Sequence, residues 1–203
     1  MAKLFLVLRS GEGGPHDKGW LRVPTAAGLE NCTAHTPVSE GPTDLVAVVS
    51  LKVTEQADLD LGGLYPGLVV EAWPVEERLQ WDYQRDWADG KASPGLKRIS
   101  FLKRASPLTH QQFASHWTEQ HASLARKHHP AIWRYCQNVV SQPDEGDLQI
   151  DGIAELSFRS EFDMTERMYD SYDGKQTIRA DLRRFIDLAS GWRVLTQEHV
   201  LMS

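Results

Sequence analysis

The chain has 203 residues, 41% of them hydrophobic and 25% charged, with a formal net charge of -6. That is the ordinary globular range, and the length allows one large domain or two of about 100 residues. The acidic balance excludes the basic field that nucleic acid or an anionic lipid surface would require. No apolar run approaches the roughly 18 residues that cross a bilayer, and the apolar stretch in Met1 to Ser10 is too short for a secretory signal. A cytoplasmic protein with neither nucleic-acid nor membrane partners is expected.

The first half offers four strand candidates, at Leu4, Leu29, Leu45 and Leu68 to Trp73. Its helices are thin: Asp17 to Ala27 is interrupted by Gly19 and Pro24, and Leu59 to Leu64 is barely a turn. Gly11 to Gly14 runs into Pro15 with no helical pattern behind it, so it is not a phosphate-binding loop. Glu76 to Asp86 reads as a strand exit followed by a surface helix. The turn formers of Trp87 to Gly95 then read as a linker between residues 1–88 and 96–203.

In the second half, a short apolar strand near Arg98 to Lys103 leads to a clear helix. Thr109 and Gln112 have the spacing of a capping box, and Phe113, Trp117, His121, Leu124 and His128 follow at helical spacing on one stripe. Pro130 ends it. Arg134 to Ser141 and Ile153 to Ser160 read as strands with a turn at Pro143 to Gly146 between them. Asp163 with Glu166 repeats the capping pattern. Ile178, Leu182, Phe185, Ile186 and Ala189 mark the inward face of a helix from about Lys175, stopped by Gly191, and Trp192 to Leu201 is the last strand.

Three segments recur in one order. Lys3 to Arg9 parallels Lys97 to Arg104, Cys32 in its strand parallels Cys136, and Ala47 to Lys52 parallels Ala154 to Arg159. The second copy carries the longer connections, where sites are more often found. Cys32 and Cys136 lack the spacing of a redox or zinc pair and read as small buried apolar residues. The order β, α, β, β, α, β is the split βαβ pattern. The expected fold is therefore α+β: two ferredoxin-like repeats, degenerate in 1–88 and complete in 96–203, which cover each other's bare sheet faces as an intramolecular α+β barrel.

Residues 98–104, Thr109 with Phe113, His116, Trp117 and His121, the run His128 to Pro130, Tyr135, and Thr196 to His199 together resemble the EthD family, named after a protein of ethyl tert-butyl ether degradation. The resemblance spans roughly Lys97 to Met202, and its helix motif F-x-x-H-W-x-x-x-H has no counterpart in the first half. It implies a dimeric α+β barrel, which the two halves could imitate within one chain, with a homodimer possible in addition. Relatives of this fold bind small apolar or aromatic molecules between sheet and helices. Several act without metal, flavin or nicotinamide as decarboxylases, dehydratases, isomerases or oxygenases. Fold-level likeness does not fix the chemistry.

His121, on the apolar stripe between Trp117 and Leu124, is the candidate catalytic acid or base, because an imidazole there can move a proton either way. The competing reading is a core histidine holding a backbone carbonyl. Tyr135, at the start of the next strand, is the candidate to hold a substrate carbonyl or phenol beside it; a packed strand aromatic is the alternative. Phe113, His116, Trp117, Leu124, His128 and Trp133 are candidate substrate-binding residues, with Trp117 and Trp133 either walling an aromatic ligand or belonging to the core. His116 lies about 140° around an α-helix from His121, at about 100° per residue, so the two should not converge; no metal centre and no cofactor are expected. Arg9 and Arg104 end equivalent strands; either could face an anionic substrate group, but both read first as solvated strand ends. The function expected is a cofactor-independent lyase, isomerase or oxygenase acting on a small hydrophobic or aromatic carbonyl compound. The rivals are a non-catalytic binding or accessory protein for such a compound, and a scaffold with no ligand.

Overall fold

The computed structural model describes residues 2–11, 27–39, 41–54, 59–143 and 149–203. The helix considered at Asp17 to Ala27 and the turn at Pro143 to Gly146 lie largely outside the described residues. The described residues form eight strands: β1 (Ala2–Ser10), β2 (Leu29–Ser39), β3 (Leu45–Val53), β4 (Leu68–Trp81), β5 (Leu96–Leu102), β6 (Arg134–Val140), β7 (Gly152–Phe158) and β8 (Trp192–Met202). They hydrogen-bond in the order β1-β3-β2-β8-β5-β7-β6-β4 and close into an antiparallel barrel. This corrects the expectation of two ferredoxin-like repeats packed sheet on sheet. Period-two patterning tells which face of a strand is buried but not which strand lies beside it, and two separate four-stranded sheets would have left open edges that closure removes.

Two compact units divide the chain, and they interleave in sequence: Met1–Glu76 with Arg85–Ser93 and Val194–Ser203, and Glu77–Gln84 with Pro94–Arg193. In the first, β3 lies between β1 and β2, with Leu6 opposite Val49 and Cys32 opposite Leu51. The outer neighbours are β4 beside β1 and β8 beside β2. Residues 90–93 run along β8, bound through Gly90 N–H to the Val200 carbonyl and Ser93 N–H to that of Glu198. Leu6, Leu8, Cys32, Ala34, Val49, Leu51 and Tyr65 form the core, with a single-turn helix α1 (Leu61–Leu64) beside it. Arg9 is not simply solvated: its guanidinium bonds Glu71 at 2.7 Å and Asp44 at 2.9 Å.

The second unit carries the other helices among the described residues. α2 (His110–Ser115), a π-helical turn (His116–His121) and α3 (Ala122–His128) run on without a break. The Thr109–Gln112 capping box forms as the spacing predicts. The next helices begin earlier than expected, because serines cap them: Ser160 opens α4 (Glu161–Thr165) and Ser171 opens α5 (Tyr172–Phe185). A serine hydroxyl accepting a first-turn N–H satisfies a donor that the helix itself cannot. The surface helix expected over Glu76 to Asp86 is absent, since β4 continues to Trp81.

Registers across β5, β7 and β6 set two rows of side chains beneath the helices. Arg98, Leu156 and Tyr135 form one row; Ser100, Ala154 and Gln137 form the next. Phe113, Trp117, Phe158 and Phe185, each almost wholly buried, fill the layer between sheet and helices. Each contributes about 2 to 3 kcal/mol through area removed from water. The opposite face of these strands is buried and polar, with Lys97 Nζ 2.9 Å from Glu155 Oε2 and Asn138 Nδ2 donating to Glu155 Oε1 at 3.1 Å. Gly95, at φ +78°, is where the chain enters β5; a Cβ there would collide with the Phe158 carbonyl, so the expected linker ends on a residue that only glycine fits.

Candidate functional site

The π turn decides where the helix points its side chains. Its backbone bonds skip five residues, as in Ala122 N–H to the Trp117 carbonyl, so it takes up an extra residue compared with an α-turn. In an uninterrupted α-helix each step of four residues leads by about 40°. The extra residue takes back much of that lead, so Trp117, His121, Ala125 and His129 all reach one cavity. A strict 3.6-residue period had instead placed Leu124 and His128 there.

The same turn brings His116 and His121 onto one carboxylate. His121 Nδ1 lies 2.8 Å from Asp181 Oδ2, and His116 Nε2 lies 2.8 Å from Asp181 Oδ1. This corrects the expectation that the two imidazoles diverge, which assumed α-helical rotation between residues five apart. Asp181 stands on α5 and is 4% exposed. Burial works to raise its carboxyl, but the hydrogen bonds from His121 and His116 prevail and hold it below the ordinary carboxylate value. A carboxylate on Nδ1 places the proton there and leaves the lone pair on Nε2, the tautomer of a general base. His121 Nε2 has no hydrogen-bond partner among the described residues.

Tyr135 is fixed as firmly. Gln137 Nε2 donates to the Trp117 carbonyl at 3.0 Å, so its amide can face only one way, and the same nitrogen donates to Tyr135 Oη at 3.0 Å. Trp117 Nε1, which can only donate, approaches the same oxygen at 2.9 Å. Gln80 Nε2 donates to Gln137 Oε1 at 3.0 Å, and the Trp81 ring meets Tyr135 edge-on at 5.1 Å. With two obligate donors on its oxygen, the phenol accepts twice and has only its own proton left to give. Burial raises the Tyr135 hydroxyl well above the ordinary tyrosine value, so the group stays a neutral donor.

The cavity has a volume of about 380 Å³, inside the range of small-molecule sites. Its apolar walls are Trp117, Ala125, Leu102, Leu156, Ile178 and Leu182, and its polar groups include His121, His129, Tyr135, Ser100 and Arg98. Arg98 also reaches Met168 Sδ at 3.6 Å and lies over the Phe158 ring. His129 Nδ1 is 2.8 Å from the Met168 carbonyl. Burial, above all, drives its imidazole down to about 4, with the Met168 bond opposing.

Residues 105–189 match the EthD domain family. The EthD match takes in the whole helix with its π turn, Tyr135, and α5 with Asp181. It covers less than half of the chain. No curated protein matches the sequence. Among solved structures, a candidate monooxygenase from Lactobacillus acidophilus NCFM is similar at a TM-score of 0.54 and 5% identity, over 99% of this chain and 96% of that one. An anthrone oxidase-like protein is similar at a TM-score of 0.59 and 10% identity, over 100% of this chain and 94% of that one. At such identities both likenesses are of fold.

Of the residues singled out from sequence, the structure places Trp117, His121 and Tyr135 on the cavity. His116 acts one step back, through Asp181. Phe113 packs in the core on Trp117 and Phe185, and Leu124 is only half-buried. His128 turns to Asp170, about 3 Å away, and Trp133 stacks on Tyr83 at 4.1 Å, outside the cavity lining. Arg104 is tied to Asp151 and to the Leu108 carbonyl rather than solvated. Sequence reasoning missed Asp181, Gln137 and His129. Asp181 had a visible signal, a carboxylate between Ile178 and Leu182 on a face that is otherwise apolar. His129 had another, the unbroken steps of four from Phe113.

Proposed function

We propose that the protein is an enzyme that removes a proton from a small hydrophobic or aromatic carbonyl compound bound in this cavity, with His121 as the base and Tyr135 as the donor to the oxygen. The observation that carries the reading is the complementary pair among the groups that line the cavity, His121 from the helix and Tyr135 from the sheet. His121 offers a lone pair from Nε2 with Asp181 behind it, and Tyr135 offers a proton because both donors around its oxygen are already committed. Deprotonation beside a carbonyl moves charge onto the oxygen, and a preorganised donor there stabilises that charge as it forms. His121 takes the proton, and Asp181 stabilises the imidazolium.

The resulting enolate can be reprotonated elsewhere, expel a leaving group, or react with dioxygen, which are the isomerase, lyase and oxygenase outcomes. The fold likeness to a candidate monooxygenase and to an anthrone oxidase-like protein favours the last. The step common to all three is tested in deuterium oxide. Protein incubated with 1-tetralone or anthrone should accelerate exchange of the acidic C–H, followed by proton NMR, and His121→Gln should abolish the acceleration. Tight binding of these ketones without faster exchange would instead support the accessory-binding reading.

A further inference from the structure

We infer that His129 is a specificity residue that accepts a hydrogen bond from a hydroxyl group of the substrate, so that the cavity selects hydroxylated aromatic compounds of two or three fused rings. The inference rests on reading this cavity as the substrate site. It names what that site recognises.

Three observations support it. First, His129 lines the cavity, and its Nδ1 is 2.8 Å from the Met168 carbonyl. A carbonyl can only accept, so Nδ1 carries the proton and Nε2 carries the lone pair. The His129 imidazole makes no other hydrogen bond among the described residues, and the Tyr169 ring packs against it at 4.9 Å. Its place 6% exposed in the interior disfavours the charged form, so the imidazole presents a neutral acceptor rather than a cation. A neutral acceptor beside an apolar wall takes an O–H and gives nothing to a carboxylate or an ether.

Second, its position is complementary to the other groups. Tyr135 supplies a donor and His121 a base, so a hydroxyl and a carbonyl on one ring system can each be met. Third, the size fits. A cavity of about 150 Å³ holds one benzene ring, and this one, at about 380 Å³, has room for two or three fused rings.

The test is equilibrium binding, which needs no turnover. 1-Naphthol, 1-methoxynaphthalene and naphthalene are titrated into the full chain by calorimetry. The parent should bind 1-naphthol about tenfold more tightly than the ether, the upper end of what one hydrogen bond to a buried neutral acceptor supplies. In His129→Leu the ratio should fall to about twofold or less, with naphthalene bound at least as well as before. His129→Asn, whose amide can reach the Met168 carbonyl but leaves no acceptor at Nε2, should show the same collapse, so a folding defect in the leucine variant would not decide the matter. An unchanged ratio in the His129 variants, or equal binding of naphthol and ether by the parent, would overturn the assignment and leave the cavity reading standing. If none of the three enters the parent, both fall together.

Discussion

Gly152 of β7 lies directly beneath Trp117, and a Cβ at that position would run into the six-membered ring of the tryptophan and press on Phe113. The sheet and the π turn approach this closely only because the residue is glycine. Gly152→Ala should cost about 1 to 3 kcal/mol, the usual penalty for overpacking a filled core. It should also shift the Trp117 Nε1–H resonance, because that group bonds Tyr135. Thermal unfolding and an indole N–H spectrum check both, and an unchanged indole signal would separate Trp117 from the constraint.

Asp181→Asn removes charge while keeping both contacts, since an amide can accept from His121 Nδ1–H and donate to His116 Nε2. The expected result is a fall of about 10² to 10⁴ in the exchange rate, the range for a positioned acid or base, with ligand affinity little changed and the protein still folded at a lower melting temperature. A loss confined to affinity would mean that Asp181 shapes the cavity without supporting the base.

Tyr135→Phe deletes one oxygen but strands two donors. Trp117 Nε1–H loses its acceptor outright, and Gln137 keeps only the Trp117 carbonyl. Buried donors without partners cost about 1 to 3 kcal/mol, so the variant should be less stable than the parent even though phenylalanine is the more hydrophobic residue. Denaturant unfolding measures this, and a neutral or stabilising result would show that the network around the phenol is not bonded as described.

Acid should weaken the fold. His129 is held down to about 4 against an ordinary 6.5, so between those values the unfolded chain binds a proton that the folded chain refuses. Stability is then lost as pH falls from about 6.5 toward 4, by an amount on the order of 2 to 3 kcal/mol. Asp181 acts in the same direction at lower pH, because a carboxyl held below its ordinary value gives up its contribution as it is protonated. Melting temperatures from pH 7 to 4 should fall in the parent and fall less in His129→Gln. Equal slopes would remove His129 as the cause.

Much of the local structure was legible because it depends on near neighbours in sequence. The Thr109–Gln112 box, the strands and Pro130 each act within a few residues. Closure of the sheet was not legible, since Ala154, Leu156 and Phe158 state which face is apolar and nothing about the strand alongside. In the site, Trp117, His121 and Tyr135 could be named from the stripe and the family resemblance. The meeting of His116 with His121 could not, because no residue in His116 to His121 announces a π turn, and one extra residue in a turn redirects everything after it. That is why Leu124 and His128 were expected where Ala125 and His129 stand.

The interleaving of the two units has a consequence for biosynthesis. Met1 to Glu76 of the first unit leave the ribosome more than 100 residues before Val194 to Ser203, which supply the strand beside β2. Until they emerge, β2 lacks the neighbour that covers its outer edge, and an uncovered edge is a template for pairing with other chains. A transcript truncated before codon 194 should therefore yield a product captured by chaperones or degraded rather than a smaller working protein. Residues 29–39 must wait for residues 194–203 to be translated before their sheet is complete.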